Sequence, residues 1–133
     1  MKANEGGHEF LDLSESFKTI LVLGGSQGAK KINDAVLDIL PDLTEKYQVV
    51  HQTGKDNIKE VKETADFLVK DERQRSRYKP FGYLNSIAMR TSAGIADLVI
   101  TRAGSTLFEV ANWQIPSIVI PITDSNACLL YTS

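Results

Sequence analysis

The chain carries one cysteine, Cys128, among its 133 residues. An internal disulfide is therefore excluded, and the composition fits a reducing compartment. No apolar run approaches the roughly 20 residues that a membrane-spanning helix needs. The sequence also lacks an excess of charge of either sign. Its 15 Lys and Arg face 17 Asp and Glu, for a net charge of −2. Bulk electrostatics thus give no case for nucleic acid as a partner. The opening stretch, Met1 to Gly7, has no apolar core behind its charge and does not read as a signal peptide. There is no internal repeat. What remains is ordinary for a folded domain, with 42% hydrophobic and 24% charged residues. A chain of this length forms one domain that buries roughly two-thirds of its unfolded surface.

The most informative stretch is Gly24-Gly25-Ser26-Gln27-Gly28. It follows the apolar run Thr19-Ile20-Leu21-Val22-Leu23 and precedes a helical pattern that starts near Ala29. A strand, a glycine-rich turn and a helix in that order make an anion site. The helix start offers unpaired N–H groups and partial positive charge, and glycines let a phosphate approach the backbone. This predicts a phosphorylated ligand, a nucleotide first among them.

Five strand–helix alternations are predicted after a polar lead-in over 1–16. In the first helix, Ile32, Ala35, Val36, Ile39, Leu40 and Leu43 recur at spacings that share a face. The second strand is Tyr47 to His51, closed by Thr53-Gly54. A helix from about Asp56 to Val69 places Ile58, Val61, Ala65 and Leu68 inward. The charged run Asp71 to Arg77 reads as a solvated loop. The third strand, Arg77 to Phe81, contains Pro80 and is expected at a sheet edge. Leu84, Ile87 and Ala88 suggest the next helix. Asp97 to Ile100 is the fourth strand, followed by a turn over Thr101-Arg102-Ala103-Gly104. A helix over Thr106 to Trp113 and a fifth strand, Ser117 to Ile120, complete the pattern.

Such alternation implies an α/β fold, a Rossmann-like parallel sheet with flanking helices and right-handed crossovers. In the usual strand order 3-2-1-4-5, the first and fourth strands are neighbours whose chains depart in opposite directions. The two glycine-bearing turns, after strands one and four, then share the crevice where such sheets bind ligands. Two common phosphate motifs do not fit. A P-loop needs G-x-x-x-x-G-K-[ST], whereas Gly28 is followed by Ala29-Lys30-Lys31. A dinucleotide fingerprint needs G-x-G-x-x-G and an acid after the second strand, where this chain has G-G-x-x-G and His51-Gln52.

Three segments, Gly24-Gly25-Ser26-Gln27-Gly28-Ala29, His51-Gln52-Thr53-Gly54-Lys55 and Thr101 to Glu109, resemble the C-terminal, donor-binding domain of the MurG family. These are bacterial UDP-N-acetylglucosamine transferases that complete lipid II in peptidoglycan synthesis during growth and cell division. The resemblance runs from about Ile20 to Asn126. It implies the C-terminal half of a GT-B glycosyltransferase. It further implies an inverting transfer of GlcNAc from UDP-GlcNAc to undecaprenyl-pyrophosphoryl-MurNAc-pentapeptide, without metal or cofactor. By that resemblance the turn Gly25-Ser26-Gln27-Gly28 would hold the diphosphate, through Ser26 and the backbone of Gln27 and Gly28. Glu109 would accept hydrogen bonds from the ribose hydroxyls. The backbone of Phe81 and Gly82, with Arg102, Ala103 and Gly104, would frame the uracil. The general base, the lipid acceptor site and the association with the cytoplasmic face of the membrane would belong to an N-terminal domain, so no catalytic residue is expected in this chain.

Several of these residues have a plainer role beside the functional one. Ser26 suits a helix N-cap. Thr106-Leu107-Phe108-Glu109 matches a capping box. Arg102 suits a surface ion pair, and Lys30 and Lys31 suit solvated positions that open a helix. His51, at a strand end, reads as a structural histidine. Gly54 and Gly104 suit turns with unusual backbone angles, and Phe108 and Trp113 suit the core. The family pattern continues after Asn126 with a glutamine-bearing segment that contacts the donor sugar; here 127–133 does not match it and reads as a truncated end. The donor domain is accordingly expected over 17–126 and incomplete. Two other functions stay open: a separate donor-binding subunit of a two-chain UDP-GlcNAc transferase, and a non-catalytic nucleotide-sugar-binding module.

Overall fold

The computed structural model describes residues 11, 13–24, 29–102, 114–120 and 131–132. Its strands are β1 (Lys18–Leu23), β2 (Tyr47–Gln52), β3 (Tyr78–Phe81), β4 (Leu98–Arg102), β5 (Ser117–Ile120) and β6 (Tyr131–Thr132). The helices are α1 (Ala29–Lys46), α2 (Ile58–Leu68), α3 (Glu72–Ser76) and α4 (Ser86–Ile95). One sheet takes all six strands in the order β3-β2-β1-β4-β5-β6. The first five are parallel, and β6 pairs antiparallel with β5. The 3-2-1-4-5 order expected from the strand–helix alternation is the one observed, and β3, with Pro80, lies at the edge.

β1 lies between β2 and β4, so both its faces are covered. Its sequence, apolar from Ile20 to Leu23, meets that demand. Alternate residues divide between two cores. On one face, Ile20, Val22, Val49 and Tyr78 pack against Ile32, Val36, Leu37 and Leu40 of α1 and Val61 and Ala65 of α2. On the other, Leu21, Leu23, Val50 and Val99 pack with Leu84, Ala93, Ile95 and Leu11. The lead-in is seated on the sheet at a second point. The side-chain amide of Gln48 accepts from the Ser14 N–H at 2.7 Å and donates to the Ser14 carbonyl at 2.8 Å.

Four local details differ from the sequence expectation. The inward face of α1 is turned by about one position. Leu37 and Asn33 are buried, whereas Ala35 and Ile39 face outward. A buried partner for Asn33, described below, explains the turn. In α2, Leu68 is exposed and Val69 is buried as the chain leaves the helix. The 71–77 segment contains a helix, α3, rather than a loop alone. Asp71 caps it by accepting from the Arg73 N–H at 2.8 Å. Gln74 and Arg77 donate to the carbonyls of Pro41 and Thr44 at 2.7 and 2.6 Å, so this charged segment is tied to α1, and Arg77 satisfies a carbonyl of its last turn. Finally, Ile87 is exposed and Leu84 is buried ahead of α4. Asn85 caps α4 by accepting from the Ala88 N–H. The helix expected over 106–113 lies outside the described residues.

Candidate functional site

Parallel register sets the site. Leu23 pairs with Gln52, Gln52 with Phe81, and Leu23 with Thr101. The carboxyl ends of β3, β2, β1 and β4 therefore finish in one level row, with Arg102 one residue beyond it, opposite Ile120. The β1–β4 pair is the switch point of the strand order, and the crevice outside its carboxyl end is the usual ligand position in an open parallel sheet. Gly24 opens the first turn there, and its N–H donates to the Gln52 carbonyl at 3.3 Å.

Among the expected ligand contacts, Phe81, Gly82 and Arg102 are described, and all three stand along this edge. Arg102 is half-buried at the end of β4 rather than in a turn. Gly25, Ser26, Gln27, Gly28, Ala103, Gly104 and Glu109 lie outside the described residues, as do Phe108, Trp113 and Cys128.

The loops beyond β2 and β3 continue the ladder past the strand ends. Thr53 N–H donates to the Phe81 carbonyl at 2.8 Å, and Gly54 N–H to the Gly82 carbonyl at 3.0 Å. Gly54 has φ 96°, which a residue with a Cβ adopts only under strain. Gly82 lies so close to the opposite loop that a Cβ would meet the Lys55 Cα at 3.3 Å. The two glycines thus let two loops run in contact. Gln52 adds a third tie, its side-chain carbonyl accepting from the Leu84 N–H at 2.9 Å. Beside these loops, Lys55 Nζ stands 5.3 Å from the centre of the Tyr83 ring.

Beneath the row lies a buried polar chain. His51 is fully buried; its Nδ1 is 2.6 Å from the Tyr78 hydroxyl and its Nε2 is 2.7 Å from Asn33 Oδ1. Asn33 Nδ2 donates in turn to the Thr53 carbonyl at 3.0 Å. This directs Asn33 Oδ1, an acceptor, at His51, so Nε2 carries the proton and Nδ1 accepts from Tyr78. Burial holds the imidazole at about 3, well below its ordinary 6.5, and it pushes the Tyr78 phenol upward. His51 is thus neutral and fully satisfied, the structural histidine expected from its strand-end position. Asn33 and Tyr78 were not legible as its partners. The one signal was a polar residue inside the apolar stripe of α1.

Lys30 pairs with Glu60 at 3.7 Å, both largely exposed. Among the described residues, no three His, Cys, Asp or Glu side chains gather as a metal site, and no helix is long and apolar enough to cross a membrane.

Comparison with known proteins agrees with the geometry. The family described as "Glycosyltransferase family 28 C-terminal domain" matches residues 19–131. A UDP-N-acetylglucosamine–N-acetylmuramyl-(pentapeptide) pyrophosphoryl-undecaprenol N-acetylglucosamine transferase 2 from Bacillus cereus is 38% identical over 125 residues, covering 92% of this chain and 32% of that protein. The transferase of the same description from Natranaerobius thermophilus, without the final number, is 36% identical over 117 residues, covering 86% and 31%. The crystal structure of Acinetobacter baumannii MurG superposes with a TM-score of 0.64 at 22% identity, over 90% of this chain and 33% of that one. That likeness shows a shared fold, and the chain spans about a third of the length of the curated relatives it matches. With its matched range covering all of the parallel sheet but Lys18, the chain belongs to the glycosyltransferase family 28 C-terminal domain family.

Proposed function

We propose that this chain is the donor-nucleotide-binding domain of an inverting glycosyltransferase that moves GlcNAc from UDP-GlcNAc to the C4 hydroxyl of undecaprenyl-pyrophosphoryl-MurNAc-pentapeptide, the step from lipid I to lipid II. The observation that carries this is the level row of strand ends at the β1–β4 switch point, where the glycine-rich sequence Gly24 to Gly28 follows β1. The names of the relatives supply the donor and acceptor.

In this reading the diphosphate rests on Gly25, Ser26, Gln27 and Gly28. A leaving UDP gains negative charge in the transition state, and preorganised N–H donors at a helix start stabilise it. Glu109 accepts from the two ribose hydroxyls, a pairing that a carboxylate suits. Phe81, Gly82, Arg102, Ala103 and Gly104 frame the uracil. The chain supplies binding and orientation of the donor and no base. A companion domain supplies the acceptor site, the base that takes the C4 hydroxyl proton and the contact with the cytoplasmic membrane face. The domain spans 17–126 in this reading, and the family match itself continues to residue 131.

The test is ligand-detected NMR of the chain with UDP-GlcNAc, UDP and NAD, repeated on Ser26→Ala and Glu109→Ala. Binding of both uridine ligands but not NAD, weakened by each substitution, is expected. A folded sample with no uridine signal would overturn the assignment.

A further inference from the structure

The buried chain from Tyr78 to Thr53 ends on a single peptide plane just beyond the end of β2. The Thr53 carbonyl takes two donors, Asn33 Nδ2 at 3.0 Å and Asn57 Nδ2 at 3.1 Å. One comes from α1 and the other from the start of α2. A trans peptide is rigid and points its C=O and N–H in opposite directions. Holding the Thr53 carbonyl therefore aims the Gly54 N–H, which donates to the Gly82 carbonyl at 3.0 Å. Gly54 at φ 96° and Gly82 against the Lys55 backbone leave this contact little slack. Asn33 performs this task only in one orientation, with Nδ2 toward Thr53. Its Oδ1 then needs a donor, which His51 Nε2–H provides. His51 needs a donor at Nδ1 to remain in that tautomer, and the Tyr78 hydroxyl is 2.6 Å away.

We propose that His51 and Asn33, oriented by Tyr78, are positioning residues for nucleobase recognition: through the Thr53–Gly54 peptide they set the place of Gly82 on the base-side lip of the crevice. This rests on the nucleotide reading above and adds residues that touch no ligand. Its consequence is selective. The relay acts on the peptide that joins the β2 and β3 loops, whereas the glycine-rich sequence assigned to the diphosphate follows β1, so cutting the relay weakens recognition of the base and spares recognition of the phosphates.

The experiment titrates the chain with UDP and with inorganic pyrophosphate in the native protein, Asn33→Ala, Tyr78→Phe and Val36→Ala. Val36 is buried on the same helix and has no place in the relay. Amide resonances of Gly54 and Gly82 are recorded without ligand in each. Asn33→Ala is expected to shift both amides and to weaken UDP about tenfold, with pyrophosphate unchanged. Tyr78→Phe keeps the ring and tests the same direction more gently, because His51 Nδ1 loses its donor, a change seen in the imidazole nitrogen spectrum. Val36→Ala should lower stability and move neither amide nor the ratio of the two affinities. Equal loss of UDP and pyrophosphate in Asn33→Ala, or unshifted Gly54 and Gly82 amides in both relay variants, would overturn the proposal. Should the native chain bind neither ligand, the nucleotide reading fails, and the two amides alone decide whether the relay sets the loop.

Discussion

Thr19 and Asp97 hold each other across the start of the β1–β4 pair. Thr19 N–H donates to Asp97 Oδ2 at 2.9 Å, and Asp97 N–H donates back to the Thr19 carbonyl at 2.8 Å. Thr19 is fully buried, whereas Asp97 is exposed. These residues brace the end of the switch-point pair opposite the crevice. Asp97→Ala leaves the Thr19 N–H without its acceptor and is expected to cost about 1–2 kcal/mol. Asp97→Asn keeps an acceptor oxygen and should cost less than half as much. Urea midpoints of the two variants check this, and equal losses would show that the carboxylate acts by charge instead.

His51 makes stability depend on pH. Its folded pKa is about 3 against 6.5 for an unperturbed imidazole. As pH falls, the unfolded chain takes the proton first, because the buried ring resists charge. The contribution is fully present above 6.5, falls through the window from 6.5 to 3, and levels off below it. At pH 5 the loss is about 2 kcal/mol. Denaturation midpoints at pH 7.5, 6 and 5 should fall accordingly, and His51→Gln should flatten that slope. An unchanged slope in the variant would assign the acid sensitivity to other groups.

The strands and their order were legible because each core strand is a short apolar run bounded by glycine, threonine or proline, and alternating helices leave few topologies. The edge place of β3 followed from Pro80. The inward face of α1 was not fully legible. Spacing alone favours Ile39, which is 48% exposed, over Asn33, which is buried. Asn33 is drawn inside by His51, 18 residues away in sequence, and a polar pair that satisfies itself across the fold leaves no periodic trace. The same holds for 71–77. Its charges read as solvated, and Asp71, Glu72 and Arg73 are exposed, but Arg75 and Arg77 are half-buried and Gln74 ties the segment to α1 through the Pro41 carbonyl. At the site, Phe81, Gly82 and Arg102, expected as ligand contacts, stand at or next to the carboxyl ends of β3 and β4. It did not show the loop-to-loop ladder beneath them, because Thr53 and Gly54 pair with residues that only the sheet brings near.

Gln74 offers a direct check on that tie between α3 and α1. Its amide reaches both the Pro41 carbonyl at 2.7 Å and the Thr44 hydroxyl at 3.3 Å. Gln74→Ala is expected to cost about 1 kcal/mol, the usual net worth of such a bond. Arg73, exposed on the same short helix, should be replaceable by Ala within about 0.5 kcal/mol. Comparable losses for the two would mean that α3 contributes through its helicity, with no specific tie to α1.

The two glycines of the paired loops should act as one unit. Gly54→Ala places a Cβ on backbone at φ 96°, at a cost of about 1–2 kcal/mol. Gly82→Ala places its Cβ 3.3 Å from the Lys55 Cα, so the loop that begins at Gly54 must yield by a few tenths of an ångström. Both changes load the contact in which Gly54 N–H meets the Gly82 carbonyl. Once one loop has moved aside, the second substitution meets less resistance. The double variant is therefore expected to lose less stability than the two single losses together, by about 0.5 kcal/mol or more. A double-mutant cycle from urea midpoints measures this term. Strict additivity would mean that the loops relax independently and that the ladder beyond the strand ends is too soft to transmit position from one loop to the other.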